Sequence, residues 1–356
     1  MRTNDRIKST MSKTIISGFA FFMLFAVLSC KHDRVTLFEP NLNLRPASEF
    51  INNNYEFKLF NAALKITNLS DVLKGPGPFT VFAPSDLAFN KMGIRNPSDF
   101  QKMNLDSLRD ALKYHIVTQR LSSMDVTMVT VDNPFNTLAG TPVLLGLGYS
   151  AENDFYINGS RISRRDLDLS NGILHTIDKV IKYHPGTIKS YLESQKKYSI
   201  FVAALKKFGL LEQLDTSGPW TVMALPNSAF AKLNLSKEDI EKMDPASFKK
   251  QLFGTYIFKL QFFESDLYVL PKPGGSGYYA PSGAPIRVPI PGDEEYSHGI
   301  SGHHRLFVIK TDVSNYPIVA QTEFGLEDNI DLYNKNGVVH EVQDIVITPE
   351  MARIIR

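Results

Sequence analysis

Clustered histidines, paired aspartates and a single cysteine are the residues of this sequence whose types and spacing invite chemistry. His298, His303 and His304 stand close together and could offer neutral imidazoles to a transition metal. No acidic or histidine partner at helical spacing accompanies them, and structural zinc sites show a tighter ligand pattern, so they read as a solvated polar loop. Asp166 and Asp168 precede Asn171, and Asp328 and Asp331 precede Asn336, as paired carboxylates for acid–base work or a calcium loop would. Neither set has EF-hand spacing, and turn-capping aspartates have the same look. A nucleophilic serine needs a strained turn or an adjacent base, and the chain has no Gly-x-Ser-x-Gly. Gly146-Leu147-Gly148 and the glycines at 274, 275 and 277 do not lead from a strand into a helix with phosphate-binding spacing. No catalytic residue, metal or cofactor is expected.

The elements that must position these residues come from a duplication. Gly77-Pro78-Phe79-Thr80-Val81-Phe82-Ala83-Pro84-Ser85-Asp86-Leu87-Ala88-Phe89 returns as Gly218-Pro219-Trp220-Thr221-Val222-Met223-Ala224-Leu225-Pro226-Asn227-Ser228-Ala229-Phe230, and Asn171-Gly172-Ile173-Leu174-His175 returns as Asn336-Gly337-Val338-Val339-His340. The Gly-Pro turn feeds a buried strand. Asp86 or Ser85, and Asn227 or Ser228, then cap a short helix. Phe57, Phe60, Ala63 and Leu64 recur at helical spacing, as do Ile200, Phe201, Ala204 and Leu205, so each copy opens with a helix. Asn-Gly turns the chain into a closing strand in which Ile173, His175 and Ile177 share one side. His115 lies on the apolar side of a helix with Leu108 and Leu112, and His175 and His340 keep phase with Ile and Val; all three are expected to be buried and hydrogen-bonded. Short strands, a few helices and turn-rich connections predict an α+β fold.

Cys30 is the only cysteine, which excludes disulfides within one chain, thiol catalysis in the body and cysteine metal sites. It follows a basic stretch (Arg2, Arg6, Lys8, Lys13) and an apolar run from Ile15 to Leu28, the order of a secretory signal. The run is shorter than the roughly 20 residues of a spanning helix. Val27-Leu28-Ser29-Cys30 resembles a bacterial lipobox, in which Cys30 becomes the lipidated N-terminus; the alternative is an ordinary signal peptide with an incidental cysteine. Without the four basic residues and Asp5 of the leader, the formal net charge of +2 becomes −1. The basic pairs Arg164-Arg165, Lys206-Lys207 and Lys249-Lys250 give no stripe for a nucleic-acid backbone.

The Gly-Pro-Phe-Thr-Val-Phe-Ala-Pro-x-Asp-x-Ala-Phe segment and the Asn-Gly-hydrophobic-hydrophobic-His strand resemble the two hallmark regions of fasciclin domains, and Tyr114-His115 between them resembles a third. The resemblance spans about 47 to 348 and implies two tandem fasciclin-like domains, each a small mixed β-sheet sandwich or wedge flanked by short helices. The division expected is 1–29 signal peptide, 30–46 lipidated cysteine and linker, 47–184 first domain and 185–349 second domain. The second copy departs from the pattern, with Met223-Ala224-Leu225-Pro226 for Phe-Ala-Pro and Thr255 or Tyr256 where His115 aligns. Gly77 to Gly218 spans 141 residues and Asn171 to Asn336 spans 165, so it carries 24 more. These fall in a Gly- and Pro-rich stretch near 271–304, read as an inserted loop and a contact surface. Tyr278 and Tyr279 in it could stack on a sugar or protein face or cover the loop's own base. In the family, a loop with an Asp-hydrophobic pair before Asn-Gly has been linked to receptor adhesion; Asp168-Leu169 and Asp331-Leu332 loosely resemble it.

These readings imply a non-catalytic binding protein of the bacterial envelope, an outer-membrane lipoprotein exposed at the surface. Its partners are expected to be the membrane, through the lipid, and an extracellular or envelope protein or glycan, with no nucleic acid. The alternative is an accessory that captures a carbohydrate or nutrient for an outer-membrane uptake system. Lys31-His32-Asp33 loosely resembles a surface-export signal of Bacteroidetes-type lipoproteins.

Overall fold

A computed structural model describes residues 43–148, 154–269, 286–290, 293, 295–301, 304–311 and 317–355. Cys30, Tyr278, Tyr279 and His303 lie outside the described residues. In the first copy, the Gly-Pro turn opens into β1 (Phe79–Pro84), which pairs with β2 (Ile116–Val117) antiparallel and with the closing strand in parallel. The remaining strands are β3 (Thr130–Asn136), β4 (Pro142–Leu147), β5 (Phe155–Ile157), β6 (Ser160–Leu169) and the closing strand β7 (Gly172–Ile177). They form one seven-stranded sheet in the order β2-β1-β7-β6-β5-β4-β3.

Alternation along β1 and β7 assigns their side chains to two cores. Val81, Ala83 and Leu174 join a helical layer holding Phe57, Phe60, Ala63 and Leu64. Phe82 and Ile177 face a second core with Tyr114, Val143, Leu145 and Phe155. Every residue of β7 is buried because both faces are covered. The helix Lys58–Ile66 buries Leu59, Phe60, Ala63 and Leu64 and leaves its polar face to solvent. Each fully buried Phe or Leu contributes about 1.5–3 kcal/mol.

The first copy ends in β8 (Tyr183–His184), and the second copy follows a related plan with β9 (Trp220–Ala224), β10 (Ile257–Phe258), β11 (Ile286–Pro289), β12 (Tyr296–Ser301), β13 (Arg305–Lys310), β14 (Ile318–Glu323), β15 (Leu332–Asn334) and β16 (Gly337–Glu341). Two sheets result, β10-β9-β16-β15-β8 and β11-β12-β13-β14. Ile300, Leu306 and Val308 of the second sheet pack into the same core as Tyr198, Phe201, Phe230 and Phe258. With its mixed sheets and short helices, the structure has the expected α+β class.

Three details differ from the sequence-based expectations. First, β11 and β12 fall within the stretch 271–304 that reads as a loop; the alternation of His298 and Ile300, both buried, is hidden there by neighbouring Gly and Pro. Second, Ser85 does cap the helix Asp86–Lys91, but Asp86 Oδ1 accepts from Leu59 N (2.8 Å), at the start of the preceding long helix. Asn227 does the same for Ile200 N (3.1 Å), and the short helix Asn227–Ala231 starts after Pro226 without a side-chain cap. Third, β8, at the end of the first copy, pairs in parallel with β15 of the second. The two copies thereby share a sheet and lie in one compact unit, Pro40–Arg356. Among the described residues no helix is long and apolar enough to cross a membrane.

Candidate functional site

The Asn-Gly motifs are twin clamps. Asn171 Oδ1 accepts from Ala47 N (2.9 Å), while Nδ2 donates to Leu73 O (2.9 Å) and Gly75 O (2.7 Å). Asn336 Oδ1 accepts from Ile188 N (2.9 Å), and its Nδ2 donates to Leu214 O (2.9 Å) and Thr216 O (2.6 Å). Each asparagine ties the first helix of its copy to the turn before the Gly-Pro strand, using three of its hydrogen-bonding positions. Gly172 and Gly337 follow because a Cβ there would strike the backbone oxygen of Phe79 or Trp220.

The histidines are equally committed. Asp166 N donates to His175 Nδ1 (3.3 Å), so the proton sits on Nε2, which donates to Leu121 O (2.9 Å). In the second copy Asp331 N donates to His340 Nδ1 (3.2 Å), and Nε2 donates to Phe262 O (3.2 Å). Burial holds both imidazoles below their ordinary pKa and keeps them neutral. His115 has the other tautomer: Nδ1 donates to Ala111 O (2.8 Å) and Nε2 accepts from Ile181 N (3.2 Å). Burial pushes its pKa down to about 4. Tyr256 takes its place in the second copy, where the Tyr256 hydroxyl accepts from Val346 N (2.6 Å), the amide corresponding to that of Ile181.

This geometry corrects the pairing of the aspartates. The counterpart of Asp331 is Asp166, five residues before the asparagine, rather than Asp168. Both take a left-handed φ, 56° and 57°, to present N–H to the histidine. Asp166 Oδ1 accepts from Ser123 N, and Asp331 Oδ1 from Glu264 N, at 2.8 Å each. Asp331 is only 6% exposed, so a contact role like that of an adhesion loop does not fit it. Asp168 is exposed and pairs with Arg120 at 2.5 Å. His298 is buried against the ring of Phe258, with centroids 3.9 Å apart, and belongs to the core rather than to a solvated loop. His304 is exposed and lies 2.6 Å from Glu264 through Nδ1, a hydrogen bond that raises its pKa. Among the described residues no group of three His, Cys, Asp or Glu could hold a metal ion.

What sequence reasoning misses is a cleft at the junction of the copies. Its volume is about 440 Å³, and its walls include Tyr156, Arg161 and Lys179 from the first copy and Glu264, Tyr268 and His304 from the second. Lys179 Nζ lies 3.3 Å from Asp331 Oδ2 and 3.9 Å from Glu264 Oε2. Although burial works against its charge, Asp331 and Glu264 raise its pKa. Lys91 with Glu327 and Lys182 with Asp328 add two more bridges between the copies. The sequence signal was the set of positions where the copies differ in charge, such as Ser123 against Glu264 and Lys179 against Asp344, rather than those where they agree.

The family model described as Fasciclin domain matches residues 55–183 and 196–319. Periostin of Homo sapiens is 23% identical over 292 residues, covering 81% of this chain and 30% of periostin. Transforming growth factor-beta-induced protein ig-h3 of Sus scrofa is 24% identical over 288 residues, covering 80% and 36%. The chain thus spans about a third of the length of these relatives. Uncharacterized protein sll1735 of Synechocystis sp. is 33% identical over 126 residues, covering 35% of this chain and 88% of that protein. A solved FAS1 domain pair from the insect cell adhesion molecule Fasciclin I aligns over 82% of this chain and 99% of its own, with 19% identity and a TM-score of 0.35.

Proposed function

That the chain belongs to the fasciclin domain family is the premise from which we propose its function, a non-catalytic adhesion or scaffold module of the cell envelope. In this reading a lipid on Cys30 tethers two interlocked domains to the outer membrane, and they present their exposed surface to an extracellular protein or glycan. One observation carries it. The polar residues that the two copies hold in common are spent on the scaffold: Asn171 and Asn336, His175 and His340, and Asp166 and Asp331 make matching internal hydrogen bonds. The features in which the copies differ are left for recognition.

The test is adhesion of protein-coated beads to cells or matrix, paired with protease treatment of intact cells carrying the wild type or Cys30→Ala. Bead capture and rapid loss of the wild-type body from intact cells are expected. Full protection until the envelope is breached would sink the surface adhesin. The junction cleft favours a second reading, an envelope protein that captures a soluble carbohydrate or nutrient for an uptake system. Calorimetry with soluble ligands separates it from the first.

A further inference from the structure

We propose that the junction cleft binds an uncharged saccharide of one or two rings, with the Glu264 carboxylate as its central acceptor and Tyr156 and Tyr268 as its stacking faces. This deepens the binding reading above and rests on it. The internal repeat supplies the control. Ser123 and Glu264 occupy equivalent places, and the scaffold asks the same of both: a backbone N–H for the aspartate that precedes the Asn-Gly turn. Ser123 Oγ then donates back to Asp166 Oδ2 at 2.5 Å and closes the site locally. Glu264 needs no side chain for that task, yet the residue is only 8% exposed and its carboxylate lies 2.6 Å from His304 Nδ1. Burying a carboxylate is costly unless it is well paired. Lys179 at 3.9 Å and His304 at 2.6 Å supply that pairing, and the Glu264 carboxylate, which its Ser123 counterpart shows the repeated scaffold does not use, stands on the wall of the cleft as a recognition element.

The chemistry of the walls selects the ligand. Lys91, Arg161 and Lys179 are matched in number by Asp178, Glu264 and Glu327, and His304 adds at most one positive charge, so the walls carry little net charge to reward a charged ligand. It offers instead interleaved donors and acceptors, which suit adjacent hydroxyls able to donate and accept at once. Tyr156 and Tyr268 are half-buried, and burial, with the Glu264 carboxylate beside Tyr268, pushes both phenols up to about 12, so they remain neutral aromatic surfaces. A volume of about 440 Å³ lies within the range of small-molecule clefts, which favour domain interfaces.

The experiment is saturation-transfer NMR on the full-length protein in detergent micelles, with glucose, N-acetylglucosamine, cellobiose and glucuronate each at millimolar concentration. Transfer to at least one neutral sugar is expected, and at least tenfold less of it in Glu264→Gln and in Tyr268→Ala. Tyr156→Ala, in the other copy, gives an independent variant should either of these fail to fold. The inference is overturned by absence of transfer to all three neutral sugars, by stronger transfer to glucuronate, or by folded variants that bind like the wild type. If wild-type beads still adhere to cells in any of those cases, the cleft assignment alone fails; if the beads do not adhere, the parent reading fails separately.

Discussion

Replacing Asn336 by alanine tests the twin-clamp geometry most directly. The change removes three hydrogen bonds, from Ile188 N and to Leu214 O and Thr216 O, at a residue only 8% exposed. A net worth of about 1 kcal/mol per bond, with the added cost of leaving buried partners unpaired, gives a loss of about 3 kcal/mol. With a urea dependence of about 2 kcal/mol per M for a domain of this size, the midpoint falls by about 1.5 M. The chain has one tryptophan, Trp220, whose backbone N–H donates to Asn336 O at 3.1 Å, so its fluorescence reports the second copy. Asn171→Ala, which removes the matching three bonds, lowers the midpoint of the first copy equally, read by far-ultraviolet circular dichroism. A tryptophan midpoint that moves by less than about 0.4 M would refute the clamp as a source of stability.

Acid should destabilise the protein before its carboxylates titrate. Burial holds His115 and His298 at about 4 and lowers His175 and His340, so the unfolded chain takes up protons more readily; stability is full above about 6.5 and is lost as pH falls toward 4. His115 and His298 account for roughly 3 kcal/mol each, and a urea midpoint unchanged between pH 7.5 and pH 5 contradicts this. Gly337→Ala drives a Cβ into the backbone oxygen of Trp220 and is expected to cost more than about 3 kcal/mol, whereas Gly140→Ala, with open space but φ at 78°, costs about 1 kcal/mol; thermal denaturation ranks the two. Lys179→Met keeps the stem but leaves the Asp331 side chain, 4% exposed, without its cation. Scaled down for the 22% exposure of the lysine side chain, the loss is about 1–3 kcal/mol. Differential scanning calorimetry should then show the two copies melting further apart, and an unaltered thermogram would argue against the bridge.

The duplication was legible because its motifs are short-range. Gly-Pro, a buried strand and Asn-Gly each fix local backbone, and the burial of Phe60 and Leu64 follows from helical spacing alone. What was not legible depends on partners distant in sequence. Asp86 and Asn227 look like caps for the helices they begin, but their oxygens turn to an older helix packed alongside. Asp331 and Asp168 share an Asp-hydrophobic pattern, yet only the hydrogen bond to the histidine reveals that Asp166 is the true counterpart of Asp331. The same holds for Tyr256, whose longer side chain reaches the amide that an imidazole serves in the first copy. The cleft was invisible because neither copy contains it; Lys179 and Glu264 acquire a shared role only once the two bodies meet.

The exchange of β8 has a consequence for how the chain is made. Tyr183 and His184 leave the ribosome with the first copy, yet their sheet partners, Tyr333 and Asn334, emerge only with the last strands of the second. The first copy can close its own seven-stranded sheet early, while β8 waits as an unpaired edge until nearly all of the second copy has been synthesised. Such late, long-range pairing is slow, and because β8 is only two residues long the edge left open in the interval is too short to invite pairing with another chain.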